Sequence, residues 1–329
     1  MKFKNSNLKF VKIKPTNNCQ SRCITCNYWK EKFENELSYD QWLGLIKEIR
    51  EVGISEIMIT GGEPTLFKKL DELVLECKNY NYKNISITTN SLSLNDRRID
   101  NLVKNGINEF VLSFEGLNTH DKIRGIKGNS VKVIKNIDYL KEINFKNIKI
   151  AFTIMSANID EIPDIIEFTK KKKIKILFNL IDDQNYFFNN IDKSLMTFDE
   201  NSKLNRMLDL IKSEVKKNPD FFSNDINSIE YAEEYFKDPK MKSVPCYLGH
   251  YGFEIDSNGD FYTNCWSMKP VGNIKQTKLL EIIQSQKFLN QIDDMYKKKC
   301  DGCSCGYILN SSINKLEAGE SLKSFYSGF

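Results

Sequence analysis

Short apolar runs alternate with helix-patterned stretches over residues 9–181. The runs Phe10–Lys14, Glu56–Thr60, Asn84–Thr89, Glu109–Phe114, Ile148–Met155 and Lys175–Ile181 are rich in Ile, Val and Phe, as strands buried on both faces are. Trp42, Leu45, Ile46 and Ile49 recur at i, i+3, i+4 and i+7, behind a capping box of Ser38 and Gln41. Leu66, Leu70, Leu73 and Cys77 make a second helical face, and Asp160–Lys172 a last crossover helix with Pro163 near its start, where proline is tolerated. Six such units predict an α/β fold with a parallel sheet and right-handed crossovers. Periodicity alone does not separate an open sheet from a partial barrel; in both, ligands gather at the carboxyl ends of the strands.

The pattern changes at residue 182. Residues 182–245 carry scattered aromatics, Asn and Asp, and one helical stretch near Phe198–Lys217 that Pro219 ends. They read as a connecting segment over the mouth of the sheet. Further on, Tyr251–Ile255, Ser257-Asn258-Gly259 and Phe261-Tyr262 predict a β-hairpin, followed by one helix over Thr277–Tyr296. The expected organisation is a strand–helix body over 1–181, a connecting segment over 182–245 and a small domain over 246–329.

The 329 residues carry a net charge of +4, which argues against a nucleic-acid partner held by a strong basic field. The densest basic run, Lys170–Lys173, falls at a helix C-terminus, where cations are favoured. No apolar stretch is long enough to span a bilayer and the N-terminus lacks a signal-peptide core, so a cytoplasmic protein with no membrane partner is expected. Of nine cysteines, three lie near the start and five after residue 245, a grouping that points to metal or catalysis before disulfides. The ninth, Cys77, sits on an apolar helix face and reads as core.

Cys19, Cys23 and Cys26 stand in CQSRCITC, just after the first strand. Three thiolates at this spacing can hold three irons of a 4Fe–4S cluster and leave the fourth without a protein ligand. A structural zinc site is the alternative and needs a fourth ligand, with no Cys or His close by in sequence. Gly61-Gly62-Glu63-Pro64 follows the second strand, combining glycines that admit close approach with a carboxylate acceptor. Thr88-Thr89-Asn90-Ser91 follows the third, where an Asx turn is the plainer reading. Ser113-Phe114-Glu115-Gly116 follows the fourth, and then come His120-Asp121 and Arg124-Gly125.

This set resembles the radical S-adenosylmethionine (radical SAM) enzymes. The resemblance implies a partial (β/α)6 TIM-like barrel in which the open iron chelates S-adenosylmethionine and an electron splits it into methionine and a 5′-deoxyadenosyl radical. It implies cofactor contacts from Gly61, Gly62, Glu63, Pro64, Thr89, Asn90, Ser113 and Arg124, with the arginine fork suited to a carboxylate. His120 reads as structural. Ser91 departs from the glycine usual in the family, and Thr25 stands where an aromatic residue normally precedes the third cysteine, a place that Tyr28 or Trp29 could take over.

Cys246, Cys265, Cys300, Cys303 and Cys305 resemble the C-terminal SPASM and shorter Twitch modules of that superfamily, which carry auxiliary clusters on a hairpin and a helix. Five cysteines are short of the seven that two clusters need, so one auxiliary 4Fe–4S cluster is expected on Cys246, Cys265, Cys300 and Cys303, with Cys305 as fourth ligand, alternate or free thiol. A zinc knot is the competing reading. The implied activity is hydrogen abstraction from an unactivated carbon, with a flavodoxin- or ferredoxin-type electron donor. The cluster loop begins at residue 19, with no fused leader-binding domain ahead of it, which favours a small sugar-like substrate over a peptide. A peptide maturase with a separate leader-binding partner remains an alternative. A molybdenum-cofactor GTP cyclase is another, but the late cysteines are spaced differently from its motif and the sequence ends Tyr-Ser-Gly-Phe. A non-catalytic metal-binding module would leave the Gly-Gly-Glu-Pro and Arg124 segments unexplained.

Overall fold

A computed structural model describes residues 8–31, 33–182, 192–198, 201–240, 245–265, 268–300 and 303–304. The expected strands form with ends shifted by two residues at most: β1 (Phe10–Thr16), β2 (Glu56–Gly61), β3 (Asn84–Thr89), β4 (Glu109–Ser113), β5 (Ile148–Ile154) and β6 (Lys175–Leu180). All are parallel, in the order β6-β5-β4-β3-β2-β1. The crossovers carry α1 (Tyr39–Glu51), α2 (Leu70–Asn79), α3 (Asp96–Asn105), α4 (His120–Arg124), α5 (Asn129–Glu142) and α6 (Ile162–Lys172). Successive strand side chains point to opposite faces. Phe110 and Leu112 of β4 thus join the layer under the helices, with Trp42, Ile46 and Leu73, while Val111 meets Ala151 and Leu177 on the other face. The capping box of α1 is present: the Gln41 amide donates to Ser38 Oγ at 3.3 Å and the Ser38 amide to Gln41 Oε1 at 2.9 Å.

Both edges of this parallel sheet are covered, as open edges must be. At β6, Phe222 forms a parallel bridge with Ile176, and the Asn224 side chain bonds both the amide and the carbonyl of Phe178. Two helices follow β6, not the single one expected: α7 (Asn201–Lys217) and α8 (Ile226–Lys237). The second was legible as Asp225 capping the Ser228 amide ahead of Ile229, Ala232 and Tyr235. Residues 192–198 lie at the carboxyl ends of the strands, where Leu195 packs on Ile123, Met155 and Ile181.

At the other edge, α9 (Leu248–Tyr251) leads into the hairpin β7 (Gly252–Ile255) and β8 (Asp260–Tyr262), with the short β9 (Gly272–Asn273) beyond it. β7 runs parallel to β1, with Lys12 opposite Glu254, so the hairpin continues the barrel sheet. Gly252 is required there, because a Cβ would stand 2.6 Å from the Phe10 carbonyl oxygen. The helix expected over Thr277–Tyr296 is broken into α10 (Leu279–Gln284) and α11 (Gln286–Tyr296). Ser285 takes an extended conformation and its Oγ accepts from the Phe288 amide at 3.2 Å, restarting the helix.

The seam between β1 and β7 buries charge. Lys12 and Lys14 reach the Glu254 carboxylate at 3.2 and 2.6 Å, and Lys14 also donates to the Tyr28 hydroxyl at 3.2 Å. Removing one partner from a buried group of this kind typically costs about 3–5 kcal/mol. At the hairpin turn, Asp256 Oδ1 accepts the amides of Asn258 and Asp260 at 2.9 and 3.0 Å. Burial pushes its carboxyl up to about 6, against the pull of Lys14 and those amides. A carboxyl raised in the folded chain contributes stability below its ordinary value of 3.8, and this is lost as pH rises through about 6. Asp256→Asn keeps the acceptor and removes the charge. Its melting temperature relative to the unaltered chain should therefore rise between about pH 5 and about pH 8; a flat or falling difference contradicts the assignment.

Candidate active site

The loop after β1 carries the first three cysteines, and it is held by backbone on both sides. On one side the Gly62 amide donates to the Thr16 carbonyl at 3.0 Å and the Glu63 amide to Asn18 at 2.8 Å. On the other, the amides of Arg22 and Ile24 donate to the carbonyls of Arg124 and Ile123 at 2.9 and 3.0 Å. Glycines make the approach possible. A Cβ would stand 2.1 Å from the Asn17 oxygen at Gly62, 2.3 Å from Thr16 at Gly61 and 2.5 Å from Arg22 at Gly125. The glycines of Gly-Gly-Glu-Pro therefore admit the cysteine loop itself. Glu36 closes the turn, accepting from Thr16 Oγ1 at 2.9 Å and from the Asn17 amide at 2.6 Å.

Cys19, Cys23, Cys26, Gly61, Gly62, Glu63, Thr89, Asn90, Ser113 and Arg124 all line one cavity of about 270 Å³. Pro64 does not; it starts a 3-10 turn in which it and Thr65 are buried and Leu66 is exposed. Glu63 is buried and ties two loops together. Its Oε1 accepts from Thr65 Oγ1 at 2.5 Å and Thr89 Oγ1 at 2.6 Å, and its Oε2 from the Asn90 amide at 2.7 Å. Burial pushes its carboxyl up, and these bonds pull it back. Asn90 makes the expected Asx turn through Oδ1, which accepts the Leu92 amide at 3.0 Å. Its Nδ2 meanwhile donates to Ser21 Oγ at 2.9 Å and faces Cys19 Sγ at 3.7 Å. Ser91, in the place of the family's glycine, has the left-handed φ of +69°.

Arg124 spans the site. One guanidinium nitrogen lies 3.8 Å from Cys23 Sγ and another 2.5 Å from Glu115 Oε1, while Glu115 Oε2 accepts the Thr153 amide at 2.7 Å. His120 is structural. Burial, helped by Arg124, pushes its imidazole down to about 3, so it is neutral. Its Nδ1 accepts the Glu115 amide at 3.0 Å. The second ring nitrogen therefore carries the proton and lies 2.9 Å from the Asn129 amide, whose otherwise unpartnered oxygen is the group that can accept it once the amide is turned over. Of the two aromatics considered for the adenine side, Tyr28 lines the cavity, whereas Trp29 stacks on Arg22 with 5.1 Å between guanidinium and ring.

The donor set fits an iron–sulfur cluster. Burial pushes the Cys19 and Cys26 thiols up to about 11 and about 12, neighbouring thiolates add to the rise, and Arg124 pulls against it. Buried thiolates need a cation, and metal binding supplies one while releasing the protons. The N–H groups of Asn90 and Arg124 aimed at sulfur are the outer partners such ligands use. Among the described residues no three Cys, His, Asp or Glu side chains converge as ligands of a single ion do. A cubane cluster does not ask for that, since each thiolate takes a different iron.

The late cysteines gather separately. Cys246, Cys265 and Cys303 pack together with Leu248 and Met295. The Cys246 thiol is raised by burial and then by Cys265, Cys303 and Cys300, which places four thiols in one neighbourhood. Cys305 lies outside the described residues. Sequence reasoning missed Lys12, Lys14, Glu36 and Asp182; of these Lys12, Lys14 and Asp182 line the cavity, as does Ser304 beside Cys303. The strand pattern of β1 gives its lysines no partner, and nothing local marks Glu36 or Asp182.

Residues 13–169 match the family described as the radical SAM superfamily, and residues 246–306 match SPASM, an iron–sulfur cluster-binding domain. The chain thus carries a radical SAM domain followed by a SPASM domain. The cofactors that go with its two modules are 4Fe–4S clusters and S-adenosylmethionine. The chain is 31% identical over 179 residues to a GTP 3′,8-cyclase of Clostridium botulinum (strain Okra / Type B1), over 52% of this chain and 56% of that protein. It is 33% identical over 154 residues to the sporulation killing factor maturation protein SkfB of Bacillus subtilis (strain 168), over 46% and 37%. The chain thus spans about half the length of the cyclase it matches, and less of SkfB. SuiB of Streptococcus suis, solved bound to S-adenosylmethionine, shares the fold with a TM-score of 0.68 at 19% identity, over 87% of this chain and 68% of that one. SuiB has also been solved bound to precursor peptide SuiA. Among the described residues no helix is long and apolar enough to cross a membrane.

The docked loop makes a direct prediction. Gly62→Ala drives a methyl group into the Asn17 and Asn18 carbonyls, so the loop must move. The reconstituted variant should lose iron from the first cysteine group while keeping that of the second; full iron content would contradict this role for Gly62.

Proposed function

We propose that this radical SAM protein is an enzyme that abstracts a hydrogen atom from a small, polar, sugar-like metabolite, with one auxiliary 4Fe–4S cluster assisting. Cys19, Cys23 and Cys26 hold three irons of the first cluster, and Cys246, Cys265, Cys300 and Cys303 hold the second, with Cys305 as the alternate. A cluster held there and reduced by a flavodoxin- or ferredoxin-type donor would supply the electron that splits S-adenosylmethionine to a deoxyadenosyl radical. The observation that carries this reading is one cavity lined by three thiols and by Glu63, Asn90, Ser113 and Arg124.

This chain's own residues bind and orient. Glu63, although committed to Thr65, Thr89 and Asn90, offers a carboxylate to an ammonium group, and Arg124, although bonded to Glu115, keeps its Nε–H for an acceptor such as a carboxylate. Lys12, Lys14, Thr60, Thr88, Thr153 and Asn179 line the same cavity with hydroxyl, amide and ammonium groups, which suits a substrate rich in hydrogen-bonding atoms. The match to a GTP 3′,8-cyclase, by its name a protein acting on a sugar-bearing small molecule, supports this class. Peptide maturation is the second reading, favoured by the 33% identity to SkfB.

Anaerobic reconstitution should give about eight irons per chain, and reduction in the presence of S-adenosylmethionine should release 5′-deoxyadenosine. Changing Cys19, Cys23 and Cys26 to Ala should leave about four irons and abolish that release. Continued cleavage in the triple variant, or zinc in place of iron, rejects the proposal. Sugar-bearing metabolites that accelerate deoxyadenosine release support the first substrate class; acceleration by precursor peptides alone replaces it with the second.

A further inference from the structure

Residues 170–245 lie between the two regions that match known families. Two side chains from this stretch grip a single peptide unit beside a late cysteine. Asp182, buried just after β6, accepts the Ser304 amide on Oδ2 at 2.9 Å. Tyr231, buried on α8, donates its hydroxyl to the Cys303 carbonyl at 3.1 Å. That N–H and that C=O belong to the same planar peptide group, so two bonds from opposite sides fix the plane. Both arms share one anchor. Tyr235, one turn along α8, donates to the Ile181 carbonyl at 3.0 Å, next to Asp182. Asp182 and Ser304 also line the cavity that holds Cys19, Cys23 and Cys26, so the gripped peptide borders the main site.

We infer that Asp182 and Tyr231 are positioning residues for the auxiliary centre: by holding the Cys303–Ser304 peptide plane they set the direction of the Cys303 thiolate and keep Ser304 in the cavity wall. This rests on the reading of Cys303 as an auxiliary ligand. α8 brings the tyrosine to the carbonyl side of the peptide, opposite Asp182. Outer partners of this kind typically change metal retention 10–100-fold when removed.

The test uses the full chain, reconstituted with iron and sulfide, in the Cys19/Cys23/Cys26→Ala background so that only the auxiliary signal remains. Tyr231→Phe removes one hydroxyl; Asp182→Ala removes the acceptor; Asp182→Asn keeps an acceptor oxygen without the charge. Tyr231→Phe and Asp182→Ala should each speed iron loss to a chelator at least about 10-fold and shift the electron paramagnetic resonance spectrum of the reduced cluster, while Asp182→Asn stays near the parent. Unchanged retention and spectrum in both Tyr231→Phe and Asp182→Ala overturn the inference, as does an Asp182→Asn variant as defective as Asp182→Ala. A parent that binds no iron at the late cysteines fails differently, because it rejects the ligand assignment itself.

Discussion

The site depends on one backbone arrangement: a cysteine-bearing loop clamped between the end of β2 and the end of α4. Four amide–carbonyl bonds hold it, from Gly62, Glu63, Arg22 and Ile24. Three glycines, Gly61, Gly62 and Gly125, vacate the space in which side chains would collide with carbonyl oxygens. A loop supported at both ends this way presents its thiols in fixed directions without help from the metal. The polar side chains that meet there stand at the ends of the surrounding elements: Glu63 after β2, Asn90 after β3 and Arg124 at the end of α4.

Charge is the second constraint. Desolvation holds the Cys19 and Cys26 thiols against ionisation, and what opposes that resistance is placed close by: the Arg124 guanidinium, which faces Cys23, and the Asn90 amide near Cys19. Arg124 is itself balanced by Glu115, and Glu63 by hydroxyls and an amide, so each charge is spoken for before a cofactor arrives. A cation brought to the thiols therefore enters a prepared polar wall, and the reorganisation its binding demands is small.

The second cysteine group reaches the barrel because sheet edges must be covered. β1 would be an open edge of a partial barrel; β7 pairs with it and brings Glu254 onto Lys12 and Lys14. At the opposite edge Phe222, Asn224 and α8 seal β6, and α8 then touches the Cys303 peptide. The late module is thus joined to the barrel at both ends of the sheet, and Ser304 stands in the wall of the main cavity.

Sequence pattern was sufficient for the strands of the barrel, because their Ile, Val and Phe positions and the turns that mark their ends are local signals. It also sufficed for the capping box at Ser38, a local signal, and for the grouping of cysteines, since ligand spacing is written along the chain. Where two signals competed it was not sufficient: Thr277–Tyr296 has one helical period, yet Ser285 caps a new helix within it. Lys12 and Lys14 carry the alternation of an exposed face, and only Glu254, more than two hundred residues away, makes their burial possible. The same holds for Glu36 on the cysteine turn and for Asp182 and Tyr231 on the Cys303 peptide. What the chain determined by itself were the elements and the metal-binding chemistry, which depend on near neighbours. Which charges could be buried, and which loops were held against the thiols, was decided by tertiary structure, because a carboxylate or hydroxyl acquires its role from whatever the fold brings within hydrogen-bond reach.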